Sequence, residues 1–480
     1  MKNIKRAIEI INNSKYFLFA TDYDFDGMSC YVIAEEWSKR SGLYYNMIMS
    51  NNDHQRGLNK DMVDKICNSY KENSVMITAD TGSDAIDAYI EIKKRCPDIK
   101  IIVTDHHTIP DEKLLLSTVD VLINPQDSNS SLNKTWCGAN VLWELLRETR
   151  KANIDDLVGY VSMANLVDQM DMTNGDNIST YYDGQKVLDS YPLIRTAKKD
   201  FRTTRHHDRF ISIRLAPIIN SCHRFGKPEL GVRVLKGDTD AYKEASIINA
   251  RRKKLTNELY AMLKPQIKAN KKMLPYIMMC VTYGIENKPY CGLIASKIVQ
   301  DFNVPAIVLN ISNNNIGGSG RTITDFPFKD MIDSLNIDGL RVMGHQGAFG
   351  VSAKSSEAIT SLATKFPIAC IDKNIKYKLK EEAIPIELKD LDNIVSNIED
   401  MRPFGNANSY PMYNIKTTIS KVKFTKKTIS IFLIKHKENM IEVLYFGQSE
   451  LISEGNDVEL SIEVDIDSSI KLICSEIKIV

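Results

Sequence analysis

Apolar runs that stop at an aspartate constrain the fold of this chain more than any other feature. Phe17-Leu18-Phe19-Ala20 leads into Asp22-Tyr23-Asp24-Phe25-Asp26-Gly27, Val75-Met76-Ile77-Thr78 into Asp80, and Ile101-Ile102-Val103-Thr104 into Asp105-His106-His107. The residues between them carry helical spacing: Met28, Val32, Ile33 and Trp37 after Gly27, then residues 84–95 up to the stop at Pro97. A further run, residues 119–123, ends in Asn124-Pro125. Short apolar strands alternating with helices predict a parallel sheet covered on both faces, and such sheets form active sites at the carboxyl ends of their strands. Helical pattern resumes over 140–151 and 155–166 and delivers Asp168 to the end of this region.

The residues gathered at that sheet edge share one chemistry. Two divalent cations held a few ångströms apart activate water and neutralise charge during in-line attack at phosphorus, and such a pair needs bridging carboxylates. Asp24 and Asp26 can both face inward from one turn, Asp80 is placed to bridge, His106 offers a nitrogen and Asp168 a further oxygen. Mixed carboxylate and imidazole ligands suit Mn²⁺, with Mg²⁺ as the alternative. Asp105 is placed to orient His106, and His107 to contact a phosphate or protonate a leaving oxygen. Any one of these acids alone would read as a helix cap. Four segments ending alike, with two adjacent histidines among only eight in the chain, read instead as a metal site.

Composition narrows the partners. A length of 480 residues suggests about three domains. The net charge of +1 supplies no general positive field, so nucleic-acid binding would have to rest on local basic clusters. The nine cysteines are scattered without a C-x-x-C pair, which argues against structural zinc and a disulfide framework and fits a reducing, cytoplasmic location. No apolar run approaches the roughly 18 residues of a membrane span, so no membrane association is expected.

Beyond the first region, residues 238–269 predict a long helix, with Ala241, Ala245, Ile248, Leu255, Leu259 and Leu263 on related faces and Asp238 as its cap. A second α/β region follows, with strands at 276–282 and 305–310 around a helix at 293–301. It carries two glycine-rich loops, Gly317-Gly318-Ser319-Gly320-Arg321 and Gly344-His345-Gln346-Gly347. After Pro403-Phe404-Gly405 the pattern changes to short alternating segments, 422–424, 429–434 and 441–446, which predict a small barrel or sandwich.

The order D-x-D-x-D-G, strand-terminal Asp, D-H-H and later V-D resembles the DHH phosphoesterase superfamily. Leu215-Ala216-Pro217-Ile218-Ile219-Asn220-Ser221-Cys222-His223-Arg224 is similar to the L-A-P-x-x-N-A-x-G-R segment of RecJ-type single-strand-specific exonucleases. Asn249-Ala250-Arg251-Arg252-Lys253, the segment Gly292 to Lys297, Gly318 to Arg321 and Gly344-His345 follow in that family's order. The segment from Arg402 to Pro411 is similar to the one that opens its OB-type domain. The likeness runs over about residues 15–450. Departures are Cys222-His223 before Arg224, a single glycine before His345, and a shortened R-G-L segment after His54.

The resemblance implies an α/β chain: a parallel-sheet DHH domain (1–225), a linking helix (226–272), a DHH-associated α/β domain (273–370), a connector (371–402) and an OB-like nucleic-acid-binding domain (403–480). It implies two Mn²⁺ or Mg²⁺ ions on Asp22, Asp24, Asp26, Asp80, His106 and Asp168, with Arg224 and His345 holding the scissile phosphate from the opposite lobe. Arg56, Ser319 and Arg321, with the backbone of Gly318 and Gly320, correspond to a pocket for a terminal 5′ phosphate. The implied activity is hydrolysis of single-stranded DNA from the 5′ end with release of 5′ nucleotides, in repair, recombination or replication, alongside a helicase or single-strand-binding protein.

Two basic clusters could carry the strand. Lys421, Lys423, Lys426 and Lys427 lie beside Phe424 and Phe432, a mixture suited to a single-strand groove, against a reading as solvated lysines. Arg202, Arg205, His206, His207 and Arg209 either contact the nucleic-acid backbone or form a solvated loop. Two other functions compete with the exonuclease: a DHH phosphodiesterase for short oligoribonucleotides or cyclic dinucleotides, and a non-catalytic binder of nucleic acid or replication proteins.

Overall fold

The structure, a computed structural model, describes residues 2–49, 57–205, 207–270, 276–312, 315–322, 326–344, 346–373, 383–426, 429–446, 452–466 and 469–480. Residues 1–246 and 382–480 form one compact unit and residues 247–381 a second.

The first unit is built on five strands, β1 (Tyr16–Thr21), β2 (Tyr44–Met49), β3 (Val75–Ala79), β4 (Lys100–Thr104) and β5 (Val121–Ile123). All pair in parallel, in the order β2-β1-β3-β4-β5. Helices α1 (Lys2–Asn12), α2 (Phe25–Arg40), α3 (Lys60–Ser69), α4 (Ile86–Arg95), α5 (Glu112–Thr118), α6 (Gly138–Glu148) and α7 (Val158–Val167) accompany them. Every residue of β3 is buried, which is why it reads as an unbroken apolar run. The chain order reverses between β1 and β3, a switch point where the loops part and leave a crevice beyond the carboxyl ends. Asp22 to Gly27 follow β1, and Asp80 follows β3.

A helical layer continues with α8 (Gly175–Leu188), α9 (Pro192–Phe201), α10 (Ala216–Arg224) and α11 (Pro228–Leu235). The long predicted helix is α12 (Thr239–Asn270), and Asp238 Oδ1 accepts the Asp240 and Ala241 N–H groups at 3.0 Å each, as a cap does.

The second unit holds the sheet β6-β7-β8-β10-β9: β6 (Met278–Tyr283), β7 (Ala306–Ser312), β8 (Asn315–Arg321), β9 (Leu340–Gly344) and β10 (Ala348–Ala353), with α13 (Cys291–Phe302) packed on it. Here the first glycine-rich stretch departs from expectation. It is not a loop but the central strand β8, paired to β7 and β10. A Cβ on Gly318 would lie 2.1 Å from the Val308 carbonyl oxygen, and one on Gly320 would lie 2.3 Å from the Phe349 ring. Glycine is present for close approach, at the expense of the strand propensity that would have revealed it.

The C-terminal part of the first unit comprises β11 (Ile384–Pro385), β12 (Tyr413–Lys426), β13 (Ile429–His436), β14 (Asn439–Tyr445), β15 (Asp457–Ile466) and β16 (Ile470–Ile479). Pairing of β12 with β15 closes five of these strands into an OB-type barrel. The predicted segment 422–424 is the end of the 14-residue β12, whose register shifts at 419–421 and 422–424 break the alternation and hide its length. Phe432 is wholly buried in the barrel core, so it is unavailable as a stacking surface. The core reaches upstream of Pro403 to Leu391 and Ile398.

The basic cluster at 202–209 is a seam between this barrel and the helical layer. Arg205 pairs with Glu399 at 2.6 Å, Arg209 pairs with Glu463 and lies 4.0 Å from the Tyr410 ring centroid, and His207 sits between Asp208 and Asp465. These cations are engaged by carboxylates of the barrel, which argues against a nucleic-acid surface. His206 lies outside the described residues. Asp208, 1% exposed, accepts from Arg402 Nη1 and the Tyr410 hydroxyl, and from the Phe404 N–H at 2.7 Å.

Candidate metal centre

The turn after β1 is fixed by its own carboxylates. Asp24 caps α2, its Oδ1 accepting from Asp26 N at 3.1 Å and Gly27 N at 3.3 Å. Asp22 Oδ1 accepts from Tyr23 N at 2.8 Å. Gly27 is required because a Cβ there would lie 2.4 Å from the Asp22 carbonyl. Asp26 turns inward, where the opening of α6 grips both its oxygens: Gly138 N at 2.7 Å and Ala139 N at 2.9 Å. Nothing in the composition of residues 137–139 announces this clamp, because the donors are backbone groups. A helix opening on glycine is the one signal that could have found it.

His106 Nε2 lies 3.2 Å from Asp80 Oδ1, 3.4 Å from Asp168 Oδ2 and 3.9 Å from Asp26 Oδ2. In three overlapping sets, one ligand atom per residue lies within 4.8 Å of the others: Asp26, His106 and Asp168; Asp80, His106 and His107; Asp22, Asp24 and Asp80. Oxygens around one octahedral ion at about 2.1 Å stand roughly 3 to 4 Å apart, so the spacing fits. Like His106, Asp80 stands in two of these sets. It holds φ of 60°, and Gly138 lies so close that a Cβ there would fall 2.5 Å from Asp80 Cβ.

The charges also fit a cation. Burial first, then the Asp24 charge, raises Asp26 to about 6 against the pull of the Ala139 and Gly138 N–H groups. Burial, followed by neighbouring carboxylates, pushes Asp80 and Asp168 well above the ordinary range. Asp80 Oδ1 and Asp168 Oδ2 are buried with no hydrogen bond among the described residues. Several buried acids that repel one another while presenting unbonded oxygens are suited to hard divalent cations.

Asp105 serves His107, where His106 was expected. Its Oδ1 lies 2.8 Å from His107 Nδ1 and also accepts both histidine backbone N–H groups, while Oδ2 accepts from Ser83 N at 2.9 Å. Burial would raise the Asp105 carboxyl, but the His107 charge and hydrogen bond overcome it and hold it well below the usual range. Conversely, burial would lower His107, and the Asp105 carboxylate outweighs that and draws the imidazole up to about 10.

The remaining expectations divide. Arg224 ends α10 and belongs to the same compact unit as the acidic cluster, not to an opposite lobe. Its neighbour His223 packs against Tyr23, ring centroids 5.2 Å apart and planes tilted by 35°, a contact that the sequence did not suggest. Ser319 and Arg321 lie on β8 in the second unit; a Cβ on Gly292 would lie 2.8 Å from Arg321 Nη2 and 3.4 Å from Ser319 Oγ. Arg56, His345 and Lys427 lie outside the described residues, as does the side chain of Lys426. Lys421, Lys423 and Phe424 are exposed, and Lys423 pairs with Glu442 at 3.1 Å.

The Gly138 contact yields a test. Gly138→Ala should cost about 1–3 kcal/mol through overpacking and weaken Mn²⁺ binding at least about tenfold by displacing Asp80 and Asp26. Calorimetric titration of Mn²⁺ checks it; unchanged affinity would show that the clamp does not position these acids.

Known proteins share the fold. The family model for the DHH family, N-terminal domain, matches residues 17–166, and that for the RecJ OB domain matches residues 384–470. The chain thus matches a DHH-family N-terminal domain in its first part and a RecJ-type OB domain in its last. It is 23% identical over 507 residues to the single-stranded-DNA-specific exonuclease RecJ of Bacillus subtilis (strain 168), covering 97% of this chain and 62% of that protein. It therefore spans less than two thirds of that relative's length. RecJ of Thermus thermophilus in complex with Mn²⁺ shares the fold with a TM-score of 0.76 at 17% identity, over 100% of this chain and 72% of that one. The Mg²⁺ complex gives 0.70 at 17% identity, over 99% and 70%. No described helix is long and apolar enough to cross a membrane, and all nine cysteines are free.

Proposed function

We propose that this chain is a two-metal-dependent exonuclease that degrades single-stranded DNA from its 5′ end and releases 5′ nucleotides. The observation that carries the reading is the buried carboxylate and imidazole cluster at the β1/β3 switch point, in which Asp80 and His106 each stand in two ligand sets. Asp22, Asp24 and Asp80 on one side, and Asp26, Asp80, His106 and Asp168 on the other, would hold the two ions, Mn²⁺ or Mg²⁺. Such ions polarise the phosphoryl oxygens and supply an activated water.

The chain's own groups then do the rest. Asp105 fixes Nδ1 of His107, leaving the Nε2 proton for the 3′ oxygen that departs with the terminal nucleotide. Arg224 neutralises the scissile phosphate, and Ser319 and Arg321 take the terminal 5′ phosphate. The OB-type barrel, presenting Lys421, Lys423 and Phe424, supports a polymeric substrate over a dinucleotide. A helicase or single-strand-binding protein would supply such a strand.

Strands labelled at the 5′ or the 3′ end, incubated side by side with Mn²⁺, test the reading. The 5′ label should appear first as mononucleotide, and blunt duplex should resist. Release of the 3′ label first, or activity confined to dinucleotides, would overturn it.

A further inference from the structure

One cation near the terminal-phosphate residues has so far no role. Strand alternation places Gly317, Ser319 and Arg321 on one face of β8, since Gly318 and Gly320 face Val308 and Phe349 on the other. On that face Ser319 Oγ and Arg321 Nη2 converge on Gly292 in the first turn of α13. The Arg321 guanidinium is braced there by a 2.7 Å hydrogen bond from Nη1 to the Gly320 carbonyl. Lys288 projects over the same row from the 3₁₀ turn Ile285–Tyr290: a Cβ on Gly317 would lie 3.9 Å from its Cε.

The lysine is exposed, and no carboxylate among the described residues pairs with it. Its charge reaches the start of α13. Burial raises the Cys291 thiol to about 11, and the Thr282 hydrogen bond and then the Lys288 ammonium oppose that rise. An ammonium, a hydroxyl and a guanidinium are thus ranged along one row of β8, with a helix's opening turn beside the last two, a combination suited to a dianionic phosphate monoester. Gly317 keeps the row open between Lys288 and Ser319, because it has no side chain to fill the space.

We infer that Lys288 is a third side chain of the terminal-phosphate pocket, holding the 5′ monophosphate together with Ser319 and Arg321 and so setting the preference for phosphorylated ends. This rests on the exonuclease reading above. A monophosphate end carries close to two charges where an internal diester carries one, so an added cation discriminates between a phosphorylated end and a hydroxyl end without touching a base.

The test compares strands bearing a 5′ phosphate or a 5′ hydroxyl, with the unaltered full chain, Lys288→Gln and Lys288→Arg, in Mn²⁺. For Lys288→Gln, KM on the phosphorylated strand should rise about tenfold with kcat nearly unchanged. KM on the hydroxyl strand should hold, and Lys288→Arg should restore most of the difference. Lys288→Gln that keeps the full preference, or that loses kcat equally on both strands, overturns the part given to Lys288. Equal handling of both strands by the unaltered chain overturns the terminal-phosphate reading itself.

Discussion

Replacing Asp80 with asparagine should lower turnover of single-stranded DNA by about a thousandfold or more, the scale expected when several kcal/mol of metal-borne charge stabilisation is withdrawn. The substitution is chosen for the backbone as well as the chemistry: Asp80 sits at φ of 60°, a region that asparagine tolerates better than alanine. Asp80 stands in two of the three ligand sets and would hold both ions, so its loss should weaken both positions at once. Without metal, burial and the surrounding carboxylates destabilise its charged form, so the metal-free variant should be no less stable than the original. With Mn²⁺ at a hundred times its Kd, the unaltered chain should gain about 2.7 kcal/mol of stability that the variant largely lacks. Turnover retained within tenfold would exclude the two-metal mechanism and favour a non-catalytic binder.

Asp208→Ala should remove about 3–5 kcal/mol of stability, a large part of the roughly 5–15 kcal/mol that holds a domain together. Its carboxylate is buried between the helical layer and the barrel, and its removal strands the Arg402 guanidinium, itself 5% exposed, and the Tyr410 hydroxyl. Burial would raise Asp208, but the His207 hydrogen bond, the Arg402 charge and the bonds from Tyr410 and the Phe404 N–H prevail and hold it at about 2. A carboxyl depressed on folding stabilises above its unfolded value, near 3.9, and that contribution disappears as pH falls through the folded value. The gap in urea midpoint between the original chain and Asp208→Asn should therefore be constant above about pH 4 and narrow towards pH 2. A loss below about 1 kcal/mol for Asp208→Ala would mean that the seam does not join the two parts.

Legibility in the sequence followed the physics of each element. Strands β1, β3, β4 and β5 could be read because they are buried along most of their length, and the acids because they stand where those strands end; β2, exposed or half-buried over Tyr44–Met47, was not legible. Strand β8 could not, since glycines placed for close approach to Val308 and Phe349 carry no strand preference. The arginines at 205 and 209 read equally as a nucleic-acid contact or a solvated loop because their carboxylate partners lie 194 and 254 residues away. Asp105 is adjacent to His106 in sequence, yet its side chain reaches past it to His107, a matter of rotamer and not of spacing. The clamp on Asp26 is made of backbone N–H groups, which every residue but proline possesses, so no residue type marks it.

The seam around Asp208 also bears on how the chain is made. Asp208 must wait for Arg402, 194 residues later, and Arg209 for Glu463, 254 residues later, while residues 247–381 build a unit of their own in between. On a ribosome adding about 5–20 residues each second, that interval is on the order of ten seconds or more. Throughout it the acid and the arginine are adjacent in sequence, so each has an opposite charge beside it in water before either is buried.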